Sequence, residues 1–310
     1  MDRIDAMKIF VATLDEGSLA GAGRQLKKSP AAVSRAIAFL EAHVGVELLH
    51  RTTRSIRLSE AGERYAAACR RVLTELEEAE ILAVGEKAAP RGTLTVSAPP
   101  ISGEDILRPI VDDFLGAYPM VSVRMLLLDR PVNLMEEGVD VALRVGQLPD
   151  SALIATRVGG EVRRVVVASP TYLEGRSPVL QPSDLAEHDI IAFSNFGLDS
   201  WSFSPDPRNG IARTVQFAPR LTVNSVRAAM ASAIRGRGLT RLYSYHVADE
   251  VGAGRLKVVL ANAEYPPMPV HLLAPSGRVS VPKVRAFIDF AAPRLRAEFA
   301  RLAAEARALA

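Results

Sequence analysis

The first third of the chain alternates apolar and polar positions at helical spacing. From Ile4 to Glu16, Met7, Phe10, Val11 and Leu14 recur at i, i+3, i+4 and i+7, which predicts an amphipathic helix ended by Gly17. Ser18 to Leu26 predicts a short second helix. Pro30 to Glu41 predicts a third, with Val33, Ile37 and Leu40 as its inward stripe. Ser18 and Ser29 stand where a hydroxyl can accept an otherwise unpaired N–H of the first turn, and Pro30 suits the first helical position. Lys27-Lys28 are left for the turn between the two helices. The pair suits a helix-turn-helix, in which the later helix enters the DNA major groove, and equally a surface helix pair of any small helical domain. After the Val44-Gly45 turn, Leu48 to Arg51 and Ser55 to Leu58 flank Thr52-Thr53-Arg54 as a short hairpin, or wing.

The pattern then changes. From Ser59-Glu60 to about Lys87, Tyr65, Cys69, Val72, Leu76, Ala79 and Ala83 recur at alternating spacings of four and three. Such a heptad seam is narrow and suits pairing with another helix. Residues 88–92 read as a linker. Beyond it, strands are predicted over 93–97, 121–128 and 139–145, with helices over 106–118 and 132–137. A second set follows with strands over 163–168, 189–193, 221–223 and 239–243 and a helix over 224–234. A strand over 270–274, a helix over 282–290 and a helical tail over 294–310 close the chain. The alternation predicts parallel sheets covered by helices, an α/β class.

Composition sharpens this only locally. The whole chain carries a net charge of +3 over 310 residues. Between Arg24 and Leu58, however, Arg24, Lys27, Lys28, Arg35, Arg51, Arg54 and Arg57 face only Glu41 and Glu47, an excess that suits a polyanion. The lone Cys69 excludes an intramolecular disulfide framework and a cysteine zinc site, and reads as a packing residue. His43, His50, His188, His246 and His271 show no metal-ligand spacing, and Gly236-x-Gly238 lacks the rest of a dinucleotide fingerprint. The N-terminus lacks the order of a signal peptide, and no apolar run approaches a membrane span, so a soluble cytoplasmic protein is expected.

Several motifs in fixed order carry a resemblance. They are Ser29-Pro30-Ala31-Ala32-Val33-Ser34-Arg35, Leu48-Leu49-His50-Arg51-Thr52-Thr53-Arg54 and Leu58-Ser59-Glu60-Ala61-Gly62. Pro90-Arg91-Gly92, Gly138 to Gly146, Ala168 to Leu173, Gly254-Arg255-Leu256 and Lys283 to Phe290 continue the series. Together the chain resembles a LysR-type transcriptional regulator over essentially its whole length. The resemblance implies a winged helix-turn-helix over 1–59, a dimerising linker helix and hinge over 60–90, and an effector domain over 91–310. That domain is like a periplasmic binding protein, with lobes of about 91–163 plus 267–310 and 164–266. It implies double-stranded DNA and a small-molecule effector as partners, a homodimer or homotetramer, no catalysis, no metal and no cofactor. It leaves contact with RNA polymerase open. Two departures stand out. Lys27-Lys28 occupy a turn where the family usually carries glycine. Gly21 and Gly23 replace usual alanines, at about 1 kcal/mol each in a helix interior, which predicts a softer helix.

For DNA, the resemblance places Ser29, Pro30, Ala31, Ser34 and Arg35 at the bases. It places Arg51, Thr52 and Arg54 on the backbone or in the minor groove. The chemistry agrees: arginine can fork onto guanine O6 and N7, Ser34 can reach a base edge or phosphate, and Ala31 can touch a thymine methyl. For the effector, open α/β sheets bind ligands beyond the carboxyl ends of their strands. Those ends give Pro100, Ile101 and Ser102, Arg144 and Gly146, Ser194 and Asn195, and Asn224 and Ser225. Arg144 reads equally as a ligand contact or a structural ion pair, and Asn224 as an anion site or a plain cap. Arg235, Arg237 and Arg241 read as a charged surface or as a basic pocket wall, with surface favoured.

Overall fold

The computed structural model describes residues 2–51, 56–84, 89–146, 153–206, 210–211 and 213–308. Its first helices are α1 (Arg3–Asp15), α2 (Leu19–Gln25) and α3 (Pro30–Val44). The caps follow the sequence. The Ser18 hydroxyl accepts from the Gly21 N–H at 3.0 Å, and the Ser29 hydroxyl from the Ala32 N–H at 3.2 Å. Phe10, Val33, Ile37 and Leu40 are fully buried, with Leu48 and Leu49 at the base of the wing. The wing strands β1 (Leu49–Arg51) and β2 (Ile56–Leu58) pair antiparallel. Glu41 ties the third helix to them: its Oε1 accepts from the N–H groups of Leu48 and Leu49 at 3.0 and 3.2 Å.

The glycines of α2 are required rather than soft. A Cβ on Gly23 would meet the Lys28 carbonyl oxygen at 2.7 Å, and one on Gly21 would meet the Glu16 Cβ at 2.8 Å. Lys27 itself takes the left-handed conformation, at φ 53°. For a non-glycine residue this conformation costs roughly 1–2 kcal/mol.

Helix α4 (Glu60–Val84) corrects the reading of the heptad seam. Its first half packs on α1, with the Phe10 and Tyr65 rings 6.0 Å apart, and Cys69 is 1% exposed in the same core. Cys69 is therefore enclosed by its own domain, and half-buried Tyr65 packs against the same core. Periodicity shows that a stripe is buried, not what buries it. Burial also pushes the Cys69 thiol up to about 11, so it stays protonated. Farther along, Val72 is 41% exposed, Ala79 is exposed and Leu76 is half-buried. The Ala83 side chain lies outside the described residues.

Two five-stranded sheets follow. The first runs β4-β3-β5-β14-β6, from β3 (Gly92–Ala98), β4 (Val121–Leu127), β5 (Val141–Val145), β6 (Leu153–Val162) and β14 (Met268–Pro275). The second runs β11-β8-β12-β7-β13, from β7 (Arg164–Ala168), β8 (Ile190–Phe193), β11 (Leu221–Val223), β12 (Leu239–Tyr243) and β13 (Lys257–Val259). A hairpin of β9 (Ser200–Phe203) and β10 (Arg213–Gln216) is attached to the second. A π-helical turn over Ser102–Leu107 leads into α5 (Arg108–Ala117). The remaining helices are α6 (Pro170–Leu173), α7 (Val226–Ile234), α8 (Ser244–Gly252) and α9 (Pro282–Ala308).

The sheets are mixed, not wholly parallel. β14 runs antiparallel to β5 and β6, and β7 antiparallel to β12 and β13. Parallel neighbours need a crossover connection, and β6 passes straight through Arg163 into β7 of the other sheet without one. The predicted helix over 132–137 is a single hydrogen-bonded turn, capped by Asn133 Oδ1 and ended by Gly138 at φ 65°. The C-terminal helix does not break: α9 continues through Pro293. β6 gave no strand signal because α9 crosses it at Gly159, where a Cβ would lie 3.0 Å from the Phe299 Cβ.

Candidate nucleic-acid interface and interlobe cavity

One side of α3 is buried and the other is largely exposed. Ser29, Pro30, Ala31 and Arg35 are exposed and Ser34 is half-buried, on the face opposite Val33 and Ile37. The structure thus brings the predicted base-reading set to one surface. Thr52 and Arg54 lie outside the described residues, as does the side chain of Arg51. Asp15, at the end of α1, joins this unit to the first sheet. Its carboxylate accepts from Arg70 of α4 at 2.8 Å and also from Arg124 of β4.

Between the two sheets lies a cavity of about 540 Å³. The first lobe gives it Pro99, Leu128, Asp129, Arg130, Val132, Leu134, Arg144, Val145 and Leu273. The second gives Arg164, Phe193, Asn195, Phe196, Tyr243 and His246. Arg130 is neutralised by both oxygens of Glu137, at 2.8 and 2.7 Å. Arg144 donates to the Leu143 carbonyl and the Ser97 hydroxyl, each at 2.8 Å, and burial pushes its guanidinium down. Burial pushes the Asp129 carboxyl up, and Arg144 opposes this. Burial pushes His246 down to about 3, so the ring is neutral. Its Nδ1 accepts from the Tyr243 N–H at 3.3 Å, which puts its proton on Nε2. The lobes also touch directly. Asn195 Nδ2 donates to the Asp129 carbonyl at 2.5 Å, and Arg227 pairs with Glu104 at 3.0 Å and Asp105 at 3.1 Å.

Of the sequence-predicted effector residues, Arg144 and Asn195 line this cavity. The others do not. Ser102 and Ile101 are buried in the π-helical turn, and Ser102 donates to the Pro99 carbonyl. Pro100 begins that turn, and the Gly146 N–H is used by the Pro269 carbonyl. Ser194, Asn224 and Ser225 are exposed outside the cavity. The helix after β11 is capped by Ser225, whose hydroxyl accepts from Ala228, and not by Asn224. Arg241 corrects a further reading: it is 5% exposed, not surface, whereas Arg235 and Arg237 are exposed. Sequence reasoning missed Arg164, Tyr243, His246 and Asp129. One signal was available for the first: an arginine at the head of the apolar run Val165-Val166-Val167.

No described helix is long and apolar enough to cross a membrane. Residues 4–63 match the family described as "Bacterial regulatory helix-turn-helix protein, lysR family". Residues 87–296 match the "LysR substrate binding domain". A Xanthomonas campestris HTH-type transcriptional regulator is 36% identical, covering 93% of this chain and 84% of its own. A Pseudomonas aeruginosa HTH-type transcriptional repressor is 32% identical, covering 94% and 91%. Among solved structures, the full-length Vibrio cholerae virulence activator AphB aligns with a TM-score of 0.60 at 26% identity, covering 94% of this chain and 98% of that one. Neisseria meningitidis CrgA, a LysR-type regulator, aligns at 0.58 and 29% identity with the same coverage. The chain belongs to the LysR family of transcriptional regulators, with a helix-turn-helix DNA-binding domain and an effector-binding domain.

Proposed function

We propose that residues 1–59 read operator DNA with the outward face of α3, that 60–90 carry a homodimer contact, and that 91–310 bind a small molecule between two lobes. The observation that carries this reading is the cavity of about 540 Å³ between sheets joined by only two chain crossings, in a chain that also presents an exposed recognition helix. Lobes so joined can open and close. A ligand that prefers the closed cavity then shifts that equilibrium by its differential affinity. Asp15, shared by Arg70 and Arg124, gives the first lobe a direct hold on the DNA-reading unit. In this reading the cavity binds and releases its ligand unchanged.

Genomic fragments retained by the full chain supply the operator for a test by fluorescence anisotropy. Metabolites that change the operator affinity of the wild type are expected to act far more weakly on a Leu128→Trp variant, whose indole intrudes into the cavity. An equal response in both proteins would place the ligand elsewhere.

The dimer contact is carried by Val72, Leu76 and Ala79, the part of the α4 seam that the domain's own core leaves uncovered. Aspartate at both Val72 and Leu76 would bury unpaired charge in a dimer, which is strongly unfavourable. Sedimentation of the double variant is expected to show monomer. A dimer that persists at low concentration would move the contact to another surface.

A further inference from the structure

The outward face of α3 runs on past Arg35. At helical spacing Ala31, Arg35, Ala38, Phe39 and Ala42 fall on one side, opposite Val33 and Leu40. All five are exposed. Three are alanines, which let the helix axis approach another surface closely. Two longer side chains stand out from them: Arg35 and, one turn on, Phe39. The Phe39 ring is the large apolar group of this face, and it is 36% exposed.

That ring is held. His43, one turn farther, stacks beside it with ring centroids 6.4 Å apart and planes 17° apart. Arg3 of α1 holds His43 in turn, its Nη1 donating to His43 Nε2 at 3.1 Å. Side chains on a helix lean toward its N-terminus, so His43 backs Phe39 and leaves its other side open toward Arg35.

The surrounding charges favour one occupant for this face. Glu41 is the one carboxylate of α3, and its Oε1 is turned to the Leu48 and Leu49 N–H groups. Lys28 is already matched by Asp5 at 3.2 Å, but Arg24 and Lys27 are exposed at one end of the helix and Arg3 at the other. An apolar ridge between cationic ends fits a DNA major groove, which has phosphates along both rims and thymine methyl groups on its floor.

We infer that Phe39 is a specificity-determining residue of the DNA-reading surface, its ring lying against the C5 methyl group of a thymine. This rests on the reading of α3 as the recognition helix. Four residues of helix rise about 6 Å and base pairs stack about 3.4 Å apart, so that thymine lies about two base pairs from the guanine that Arg35 forks. Ala31 stands one turn to the other side of Arg35, so a methyl group that it touches lies on the other side of that guanine.

The test uses the full chain, fluorescence anisotropy at fixed salt and a genomic fragment that the chain retains. Each guanine of the bound stretch is replaced in turn by 7-deazaguanine, which lacks the N7 acceptor, and each thymine by uracil, which lacks only the methyl group. Wild type is expected to lose affinity at a guanine to which Arg35→Ala is indifferent. At a thymine about two base pairs away it is expected to lose about fourfold, the worth of one buried methyl group. Phe39→Ala is expected to bind the thymine and uracil duplexes equally at that position, while it keeps the guanine preference and the response at the thymine of Ala31. The uracil scan of the wild type needs no variant to fold, so the lack of a sensitive thymine at that spacing overturns the inference alone. A Phe39→Ala variant with the wild-type uracil profile also overturns it. So does one that sediments differently from the wild type, which assigns the ring to a protein contact. Base preferences unchanged in both Arg35→Ala and Phe39→Ala overturn the reading of α3 itself, whereas preferences unchanged in Phe39→Ala alone leave that reading standing.

Discussion

An Asp140→Ala variant is expected to lose about 3–5 kcal/mol of stability, the usual cost of leaving one charge of a buried pair alone. Asp140 and Arg278 are each only 5% exposed, and Arg278 Nη1 donates to Asp140 Oδ1 at 2.8 Å. The other carboxylate oxygen accepts from the Thr95 N–H at 2.7 Å, while the Asp140 N–H donates to the Thr95 carbonyl at 2.8 Å. Lys283, donating to the Thr93 carbonyl at 2.8 Å, adds a second positive charge nearby. Burial alone pushes the Asp140 carboxyl up, and these cations oppose it. The group thus knits β3, β5, β14 and α9 of the first lobe. Urea unfolding followed by the regulatory domain's transition measures the effect. Leucine at both Asp140 and Arg278 is expected to recover most of the loss, since it removes both desolvation penalties together. A single variant that loses less than about 1 kcal/mol would show that water or another group already compensates Arg278.

A Gly62→Ala variant is expected to abolish operator binding while leaving the effector domain folded. Gly62 lies in the first turn of α4, where a Cβ would sit 2.0 Å from the Leu48 carbonyl oxygen. That contact cannot relax by rotating a side chain, so backbone must move, and overpacking of this kind typically costs about 1–3 kcal/mol or more. The backbone that moves carries the wing. Ser59 caps α4 by accepting from the Gly62 N–H at 2.9 Å, its hydroxyl donates to the Glu47 carbonyl at 2.7 Å, and its own N–H donates to the Leu48 carbonyl at 3.0 Å. The Leu58-Ser59-Glu60-Ala61-Gly62 motif is therefore a joint that fixes β1 against α4. Amide exchange at Leu48 and Leu49 is expected to rise sharply. Wild-type exchange together with wild-type operator affinity would sink the explanation.

The DNA-reading half was legible because its signals are local. Ser18, Ser29 and Pro30 act within a few residues of themselves, and the Val33–Ile37–Leu40 stripe needs only helical spacing. The interlobe cavity was less legible because it depends on sheet direction. A parallel sheet points to strand carboxyl ends, and that rule found Arg144 and Asn195. β7 runs antiparallel to β12, so its first residue, Arg164, stands beside the last residue of β12, Tyr243. No rule for parallel strands would look there. The α4 seam was read as wholly intermolecular, but Cys69 and Tyr65 meet α1 of their own domain, where the flanking Asp15–Arg70 pair joins positions 55 residues apart in the chain.

The proposed function stands on sequence reading by α3. The measurement closest to it is fluorescence anisotropy of the full chain on a genomic fragment that it retains and on a scrambled duplex of equal length, at one fixed salt concentration. Wild type is expected to prefer the genomic fragment by about 10³-fold or more. Arg35→Ala, which leaves the α3 core of Val33, Ile37 and Leu40 untouched, is expected to lose about 1–3 kcal/mol on the genomic fragment and far less on the scrambled one. Equal affinity of the wild type for both duplexes, or an Arg35→Ala variant with undiminished preference, would contradict it.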